Sequence, residues 1–455
     1  MRTSVRGCSR RGGSSSRRCG TVVRSRRLRA ERRCSRRRVA SRPAVPCPPD
    51  PRATPRRTHV IAQLLLLMVA VATGYQIFSL VCAWLFARWQ RREMSRPRDD
   101  GRALPAVTVL KPLCGAVSET YENLATTCRL DYPTLQIVFG VAAADDPAIA
   151  IVRRLQRDFP DVDVELVVSS DRIGSNSKVS NLNNMLQRAK HDVLVIADAD
   201  IRAPRDYLRI VVPCLDEPRT AVVTCVYRGV AARTLASRIE ALFINTDFGP
   251  MVTVARQVER MTYAFGATIC VRRRTLEQLG GFRAVADHLA DDYQLGSLAV
   301  AAGYEVVLAP VVTETMLDLD SLDEVAAHQL RWARTYRVCR PRGYLASVVT
   351  HTTLWATLYL LATGFSPAGA RVFAAALGIR LLAAGGIAHF ALGVRRIWRD
   401  LWLVPLKDLF ISSIWAAAFL GQSVRWGGTE YVVSPDGRMI PSIEPGSDPE
   451  PVRSG

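Results

Sequence analysis

Three short acidic pairs demand an explanation, because two carboxylates set side by side repel. In Asp198-Ala199-Asp200 the acids follow Val193-Leu194-Val195-Ile196-Ala197, an apolar run that reads as a buried central strand. The carboxyl end of such a strand is where ligands bind in open α/β sheets. On an extended segment, residues two apart face the same way. Asp198 and Asp200 then repel unless a cation bridges them or one takes a proton. The natural cation is Mg2+ or Mn2+, shared between carboxylates and the phosphate oxygens of a substrate. The plainer alternative is a turn ahead of Pro204.

Asp291 and Asp292, followed by Tyr293, open a helical pattern that runs to Ala301. Either they cap that helix and favour its dipole, or one is a general base. Asp145-Asp146-Pro147 either starts a helix with Pro in its first turn or contacts a nucleotide. Gly174-Ser175-Asn176-Ser177-Lys178 is a small polar loop whose Lys and backbone N–H groups suit a phosphate. It lacks the spacing of a P-loop. Gly266, in Gly266-Ala267-Thr268, allows close approach of a ligand. His328-Gln329-Leu330-Arg331-Trp332 precedes an apolar stretch. Arg331 and Trp332 either anchor the chain at a membrane surface or line an entrance for a ring-bearing acceptor and a diphosphate.

The elements that must position these residues lie between 105 and 343. Strands are expected at 107–110, 136–141, 164–168, 193–197, 221–225 and 305–308, and helices at 119–128, 148–157 and 179–189. Alternating runs of this kind predict a mostly parallel sheet with helices on both faces, an α/β domain. The 11 Cys are scattered, without a CxxC pair, and His is scarce, which argues against a zinc site.

Apolar stretches flank this domain. Residues 60–86 are 27 residues without a charge, enough to span a bilayer. Residues 344–370 are uncharged, 372–394 contain only Arg380 before the terminal Arg cluster, and 401–424 contain only Lys407 and Asp408 within the apolar run. Charged residues inside a span need a partner or a watery cavity. The expected layout is a transmembrane helix at 60–86, a soluble domain at 105–343, two or three membrane helices over 344–424, and a tail at 425–455. The net charge of +20 is misleading about partners. Residues 1–58 carry 19 Arg and only two acids, whereas the other 397 residues hold 42 basic and 39 acidic side chains. The Arg-rich segment is expected to be disordered. The Arg clusters at 88–98, 334–342 and 395–399 place the soluble domain in the cytoplasm. That orientation sends the basic residues 1–58 outside, so they are expected to be an upstream extension from a mis-called start.

In order along the chain, these motifs resemble the ceramide glucosyltransferase family, membrane glycosyltransferases with the GT-A fold (family 21, family 2-like). The three acidic motifs of that family match Asp145-Asp146-Pro147, Asp198-Ala199-Asp200 and Asp291-Asp292-Tyr293, and Arg331-Trp332 closes the series. Lys111-Pro112-Leu113-Cys114-Gly115, Asp131-Tyr132-Pro133, Lys178-Val179-Ser180-Asn181-Leu182 and Trp426-Gly427-Gly428-Thr429 extend the likeness over roughly residues 60–435. The wording is most similar to a bacterial branch associated with hopanoid biosynthesis. One departure is His328, where Gln or Arg is usual.

The resemblance implies an inverting transferase that moves a sugar, N-acetylglucosamine in the hopanoid branch, from UDP to a polycyclic lipid alcohol such as bacteriohopanetetrol. It implies a divalent cation on Asp198 and Asp200, and Asp292 as the base that deprotonates the acceptor. Asp145, Asp146, Lys178, Asp198, Gly266, Asp291, His328, Arg331 and Trp332 would hold the nucleotide sugar. The implied setting is the cell inner membrane, multi-pass, with the catalytic domain facing the cytoplasm. Three alternatives remain: a ceramide glucosyltransferase using UDP-glucose, a processive polysaccharide synthase, and a membrane protein that binds nucleic acid or anionic lipid through its Arg tail. A synthase usually needs more spans. The binder leaves the carboxylates without a purpose, so no nucleic-acid partner is expected.

Overall fold

The computed structural model describes residues 55–96, 103–117, 119–426 and 429–442. Most of the expected Arg-rich tail lies outside these residues. The chain opens with α1 (Pro55–Met94), then builds the α/β unit: β1 (Val107–Pro112), α2 (Thr120–Cys128), β2 (Leu135–Val141), α3 (Ala148–Asp158), β3 (Asp163–Val168), α4 (Ser177–Leu186), β4 (Val193–Ile196) and β5 (Ile201–Arg202). There follow α5 (Tyr207–Val211), β6 (Thr220–Ala231), α6 (Leu235–Phe243), a π-helical turn (Ile244–Phe248), α7 (Gly249–Val258), β7 (Ile269–Arg272), α8 (Arg273–Gln278), α9 (Asp291–Ala301) and β8 (Glu305–Leu317). The chain closes with α10 (Leu322–Cys339), α11 (Pro341–Ser347), α12 (Thr352–Ala362), α13 (Pro367–Phe390), α14 (Val404–Ala417), β9 (Ser423–Trp426), β10 (Thr429–Val433) and β11 (Met439–Pro441).

Eight strands form one sheet in the order β3-β2-β1-β4-β7-β6-β8-β5. The wing β3-β2-β1-β4 is parallel, as is β6 with β8. β7 runs against β4 and β6, and β5 against β8, so the sheet is mixed. The α/β class expected from the sequence is found, with antiparallel pairings of β7 and β5 that the expected mostly parallel sheet did not include. All four residues of β4 are buried, as its unbroken apolar run requires of a strand covered on both faces. Val193 and Val195 join one core layer with Val107, Val109 and Tyr207. Leu194 and Ile196 join the other, which also takes Ala83 and Phe86 from α1. The period-two alternation of a strand thus ties the first apolar helix directly to the sheet.

Three helical stretches, His59–Met94, Pro367–Phe390 and Leu401–Leu420, are long and apolar enough to cross a membrane, judged by length and composition. The stretch 344–370, expected as one span, is broken. Pro341–Thr350 and Thr352–Ala362 meet at a bend of 52°, because His351 leaves helical geometry at φ −76 and ψ 69. The positive φ values of Gly364 and Phe365 then turn the chain into α13, whose first turn is capped by Ser366. The third stretch ends at Leu420 rather than 424, since Ser423 begins β9. Nor is 425–455 simply a tail. β9, β10 and β11 form an antiparallel sheet. Met439 N–H donates to Asp287 O at 2.7 Å, and Leu289 N–H donates to Gly437 O at 3.1 Å.

The three charges read inside apolar stretches find partners in one cluster. Arg380 donates to Asp408 at 3.0 and 2.9 Å and to Asp247 at 2.8 Å. Lys407 contacts Asp408 at 2.7 Å and also pairs with Asp247. α13 and α14 are thereby fastened to the π-helical turn. Asp408→Ala would leave two buried cations on one carboxylate, and breaking such a pair costs about 3–5 kcal/mol. The thermal midpoint of the detergent-purified variant is expected to fall accordingly. An unchanged midpoint would contradict the fastening role.

Candidate active site

Lys178 sits in the first turn of α4, whose N-cap Asn176 accepts from Val179 N–H at 3.1 Å. Its ammonium lies 2.7 Å from Asp198 and 3.3 Å from Asp291. Burial opposes its charge, but Asp198, Asp291 and Asp292 outweigh that and raise its pKa. Lys178 therefore clamps acids together in this structure. Two N–H groups of its loop are also engaged, Ser175 with Asp287 at 2.8 Å and Asn176 with Ala286 O at 2.8 Å. Lys178 and these two N–H groups, expected at a phosphate, bond to protein groups in this structure.

Asp198 and Asp200 do not lie on an extended strand. The chain turns after β4, with Ile201 N–H donating to Asp198 O at 3.2 Å, so the period-two argument does not apply to the pair. Buried Lys111 fixes this turn by donating to Asp198 O at 2.8 Å and Ile201 O at 2.9 Å. Burial lowers its pKa to about 8. Asp200 accepts from the Thr315 hydroxyl on β8. Burial, then the charge of Asp198, raises the Asp200 pKa, so the two carboxylates feel each other.

Asp291 and Asp292 form the first turn of α9. Asp292 accepts from Gly266 N–H at 2.7 Å and from Tyr293 N–H at 2.7 Å. Burial, followed by Asp291, lifts its pKa to about 6, against the pull of Lys178. Gly266 is needed where it stands: a Cβ there would lie 2.6 Å from Asp198 Oδ2.

These groups line one cavity of about 920 Å³. Lys178, Asp198, Asp200, Gly266, Asp291, Asp292, His328, Arg331 and Trp332 all face it, together with residues of α1, α13 and α14. Asp145 and Asp146 are not among its lining residues. Asp146 instead accepts from Ala148 N–H at 2.8 Å and Gly115 N–H at 2.9 Å, starting α3 and pinning the loop after β1. Gly115 lines a smaller adjoining pocket that shares Asp200. At the departure, His328 Nδ1 lies 2.7 Å from the fully buried Glu240. Gln329 donates to both Glu240 oxygens at 2.8 and 2.9 Å. Arg331 stacks on Trp426 at 4.7 Å, and burial lowers its pKa from the usual guanidinium value. Trp332 packs on Phe243 and His328. Sequence reasoning gave no role to Lys111, Glu240, Thr315 or Trp426. A lone acid inside Ile239-Glu240-Ala241-Leu242-Phe243 was the one available signal.

Among the described residues, no three His, Cys, Asp or Glu side chains converge as a cation site. The donor chemistry still fits a divalent ion shared with a ligand. Asp198 and Asp200 are two repelling oxygen donors at a cavity wall, and a diphosphate supplies oxygens for the rest.

The family model described as "Glycosyl transferase family 21" matches residues 64–439. The chain belongs to glycosyl transferase family 21. Its similarity to "Ceramide glucosyltransferase 3" of Caenorhabditis elegans is 21% identity over 254 residues, 55% of each chain. The chain thus spans about half the length of that relative. It is 20% identical to "Ceramide glucosyltransferase" of Pyricularia oryzae over 82% of this chain and 96% of that one. Among solved structures, the mannosyltransferase PcManGT of Pyrobaculum calidifontis, in complex with GDP-Man and Mn2+, aligns at 22% identity and TM-score 0.44, covering 77% of this chain and 99% of that one. The chain is thus similar to glycosyltransferases, and three of its helical stretches are long and apolar enough to cross a membrane. The sequence-derived expectation of a ceramide glucosyltransferase-like protein holds at that level.

A base works only as the carboxylate. With Asp292 raised to about 6 by burial and then Asp291, sugar transfer is expected to fall as pH drops through about 6 and to level off above it. A pH–rate profile at saturating donor reads this. A rate flat from about pH 5 to about pH 7 would contradict Asp292 as the base.

Proposed function

We propose that the protein transfers a hexose, with inversion, from a UDP-sugar to the hydroxyl of a membrane-resident sphingolipid alcohol of the ceramide type. The observation that carries this reading is the shared cavity. Its walls include Asp198, Asp200 and Asp292 together with Tyr75, Gln76 and Arg380 of the apolar helices. A water-soluble dianion and a bilayer-bound alcohol can meet only in such a space. The ceramide glucosyltransferases among the relatives favour ceramide and glucose over the hopanoid alcohol and N-acetylglucosamine expected from the sequence.

Departure of UDP builds negative charge on its β-phosphate. The Arg331 guanidinium keeps its charge and carries no ion pair to a carboxylate among those found in the described residues, so it is available to that phosphate. Lys178 holds Asp198 and Asp291 in register. Asp292, fixed by two backbone N–H groups, takes the proton of the acceptor hydroxyl as it attacks the sugar carbon. One base and one displacement give inversion without a covalent intermediate. Asp198 and Asp200 would hold a divalent cation, which supplies further neutralisation of the leaving diphosphate when bound. The Arg clusters beside the apolar helices support a cytoplasmic catalytic domain in an inner membrane.

The test pairs UDP-glucose with ceramide against UDP-N-acetylglucosamine with bacteriohopanetetrol, on purified protein in detergent. Glucosylceramide is the expected product. Asp292→Asn is expected to lose transfer while keeping donor affinity. Transfer only to the hopanoid would overturn the ceramide assignment, and near-normal turnover by Asp292→Asn would overturn the base.

A further inference from the structure

The part of the cavity wall beside the apolar helices carries polar side chains among apolar ones such as Ile411, Ile414 and Trp415. Gln76, Asp247, His351, Arg380 and Asp408 face it from five different segments. Part of this cluster is structural, since Arg380, Lys407, Asp247 and Asp408 balance to zero charge. Asp247 differs from the other three in exposure. Its side chain is 33% accessible, against 4% for Arg380, 0% for Lys407 and 10% for Asp408. Each Asp247 oxygen serves one cation, Oδ1 with Arg380 and Oδ2 with Lys407. A carboxylate has about four lone-pair sites, so acceptor capacity remains on the exposed part.

His351 supplies a second acceptor. The Ser412 hydroxyl spends its only hydrogen on Asp408 O at 2.7 Å. In the tautomer that complements this bond, His351 Nδ1 donates in its 2.9 Å contact with Ser412 Oγ. In the neutral ring that leaves Nε2 as an acceptor. Two acceptors thus line a cavity formed partly by apolar helices. A hydrocarbon tail offers them nothing, and unmet acceptors in an apolar site are costly.

We propose that Asp247 and His351 form a recognition subsite for a hydrogen-bond donor that the lipid acceptor carries besides the hydroxyl that is glycosylated. The inference rests on the lipid-glycosylating reading above and names what that lipid must bear: an amide N–H or a second hydroxyl, next to apolar chains. A ceramide offers both groups, and a hopanoid polyol offers hydroxyls only. A straight-chain alkanol offers neither.

The test measures kcat/KM of the full chain in detergent with UDP-glucose, and with UDP-N-acetylglucosamine for the hopanoid arm. The acceptors are a short-chain ceramide, its N-methylated analogue, bacteriohopanetetrol and a straight-chain alkanol of matched apolar length. The wild-type protein is expected to favour a donor-bearing lipid over the alkanol by about tenfold or more. Asp247→Asn and His351→Phe are each expected to shrink that preference severalfold, by losing more on the donor-bearing lipid than on the alkanol. His351→Phe leaves the ion cluster intact and decides alone if Asp247→Asn fails to fold. Loss of preference on N-methylation assigns the donor to the amide, and its retention assigns it to a hydroxyl. Equal losses on both classes of acceptor in His351→Phe, or a wild-type protein that uses the alkanol as well as the others, overturn the subsite. Transfer to no lipid at all, with sugar passing to a soluble acceptor, overturns the reading beneath it.

Discussion

One ammonium holds the acidic end of the cavity together. Lys178, 2.7 Å from Asp198 and 3.3 Å from Asp291, joins the first turn of α4, the turn after β4 and the first turn of α9. Asp198, Asp200, Asp291 and Asp292 are among the carboxylates that face the same space, and in a partly desolvated cavity their repulsion is stronger than at a surface. Lys178 offsets part of it. The remainder is visible in the raised pKa values of Asp200 and Asp292, for which burial is the first cause. A site with surplus negative charge suits a cation and favours a base that can accept a proton near neutral pH. Lys111 has a quieter part, fastening the Asp198–Ile201 turn through two carbonyls so that the acids do not drift.

The second constraint is the meeting of two phases. Phe86 of α1 shares a core with Leu194 and Ile196 of β4, so the first apolar helix and the catalytic strand are packed as one body. α10 carries Arg331 and Trp332 and runs to Cys339, just before the broken pair that enters the apolar bundle. The π-helical turn Ile244–Phe248 lies between α6 and α7 and presents Asp247 to α13 and α14. π-turns are rare and frequently mark functional sites. Here one places the Asp247 carboxyl group where apolar helices and cavity adjoin.

Much of this was legible from residue order. The strand expected at 193–197 is found at Val193–Ile196, and the acids beyond it and the helix opened by Asp291-Asp292 stand where the patterns put them, because each rests on local periodicity. What was hidden depends on contacts between distant residues. Nothing in Lys178 itself says that it will pair with Asp291 rather than meet a phosphate. β7 is four residues long, too short for a periodic signal, yet it sits between β4 and β6. Glu240 becomes meaningful only once α10 brings His328 and Gln329 to it. The bend within the stretch expected at 344–370 was hidden because hydropathy does not register a backbone break. Asp146 read ambiguously as helix start or ligand, and here its carboxylate accepts from Ala148 and Gly115 N–H, contacts that sequence alone does not reveal.

The most direct measurement is an experimental structure of the full chain in lipid, with an unreactive UDP-sugar analogue and a ceramide bound together. The diphosphate is expected beside Asp200 and Arg331, the lipid along the apolar helices, and its primary hydroxyl within hydrogen-bond reach of Asp292. A lipid bound outside the cavity, or a reacting hydroxyl turned away from Asp292, would contradict a single chamber in which soluble donor and membrane acceptor react.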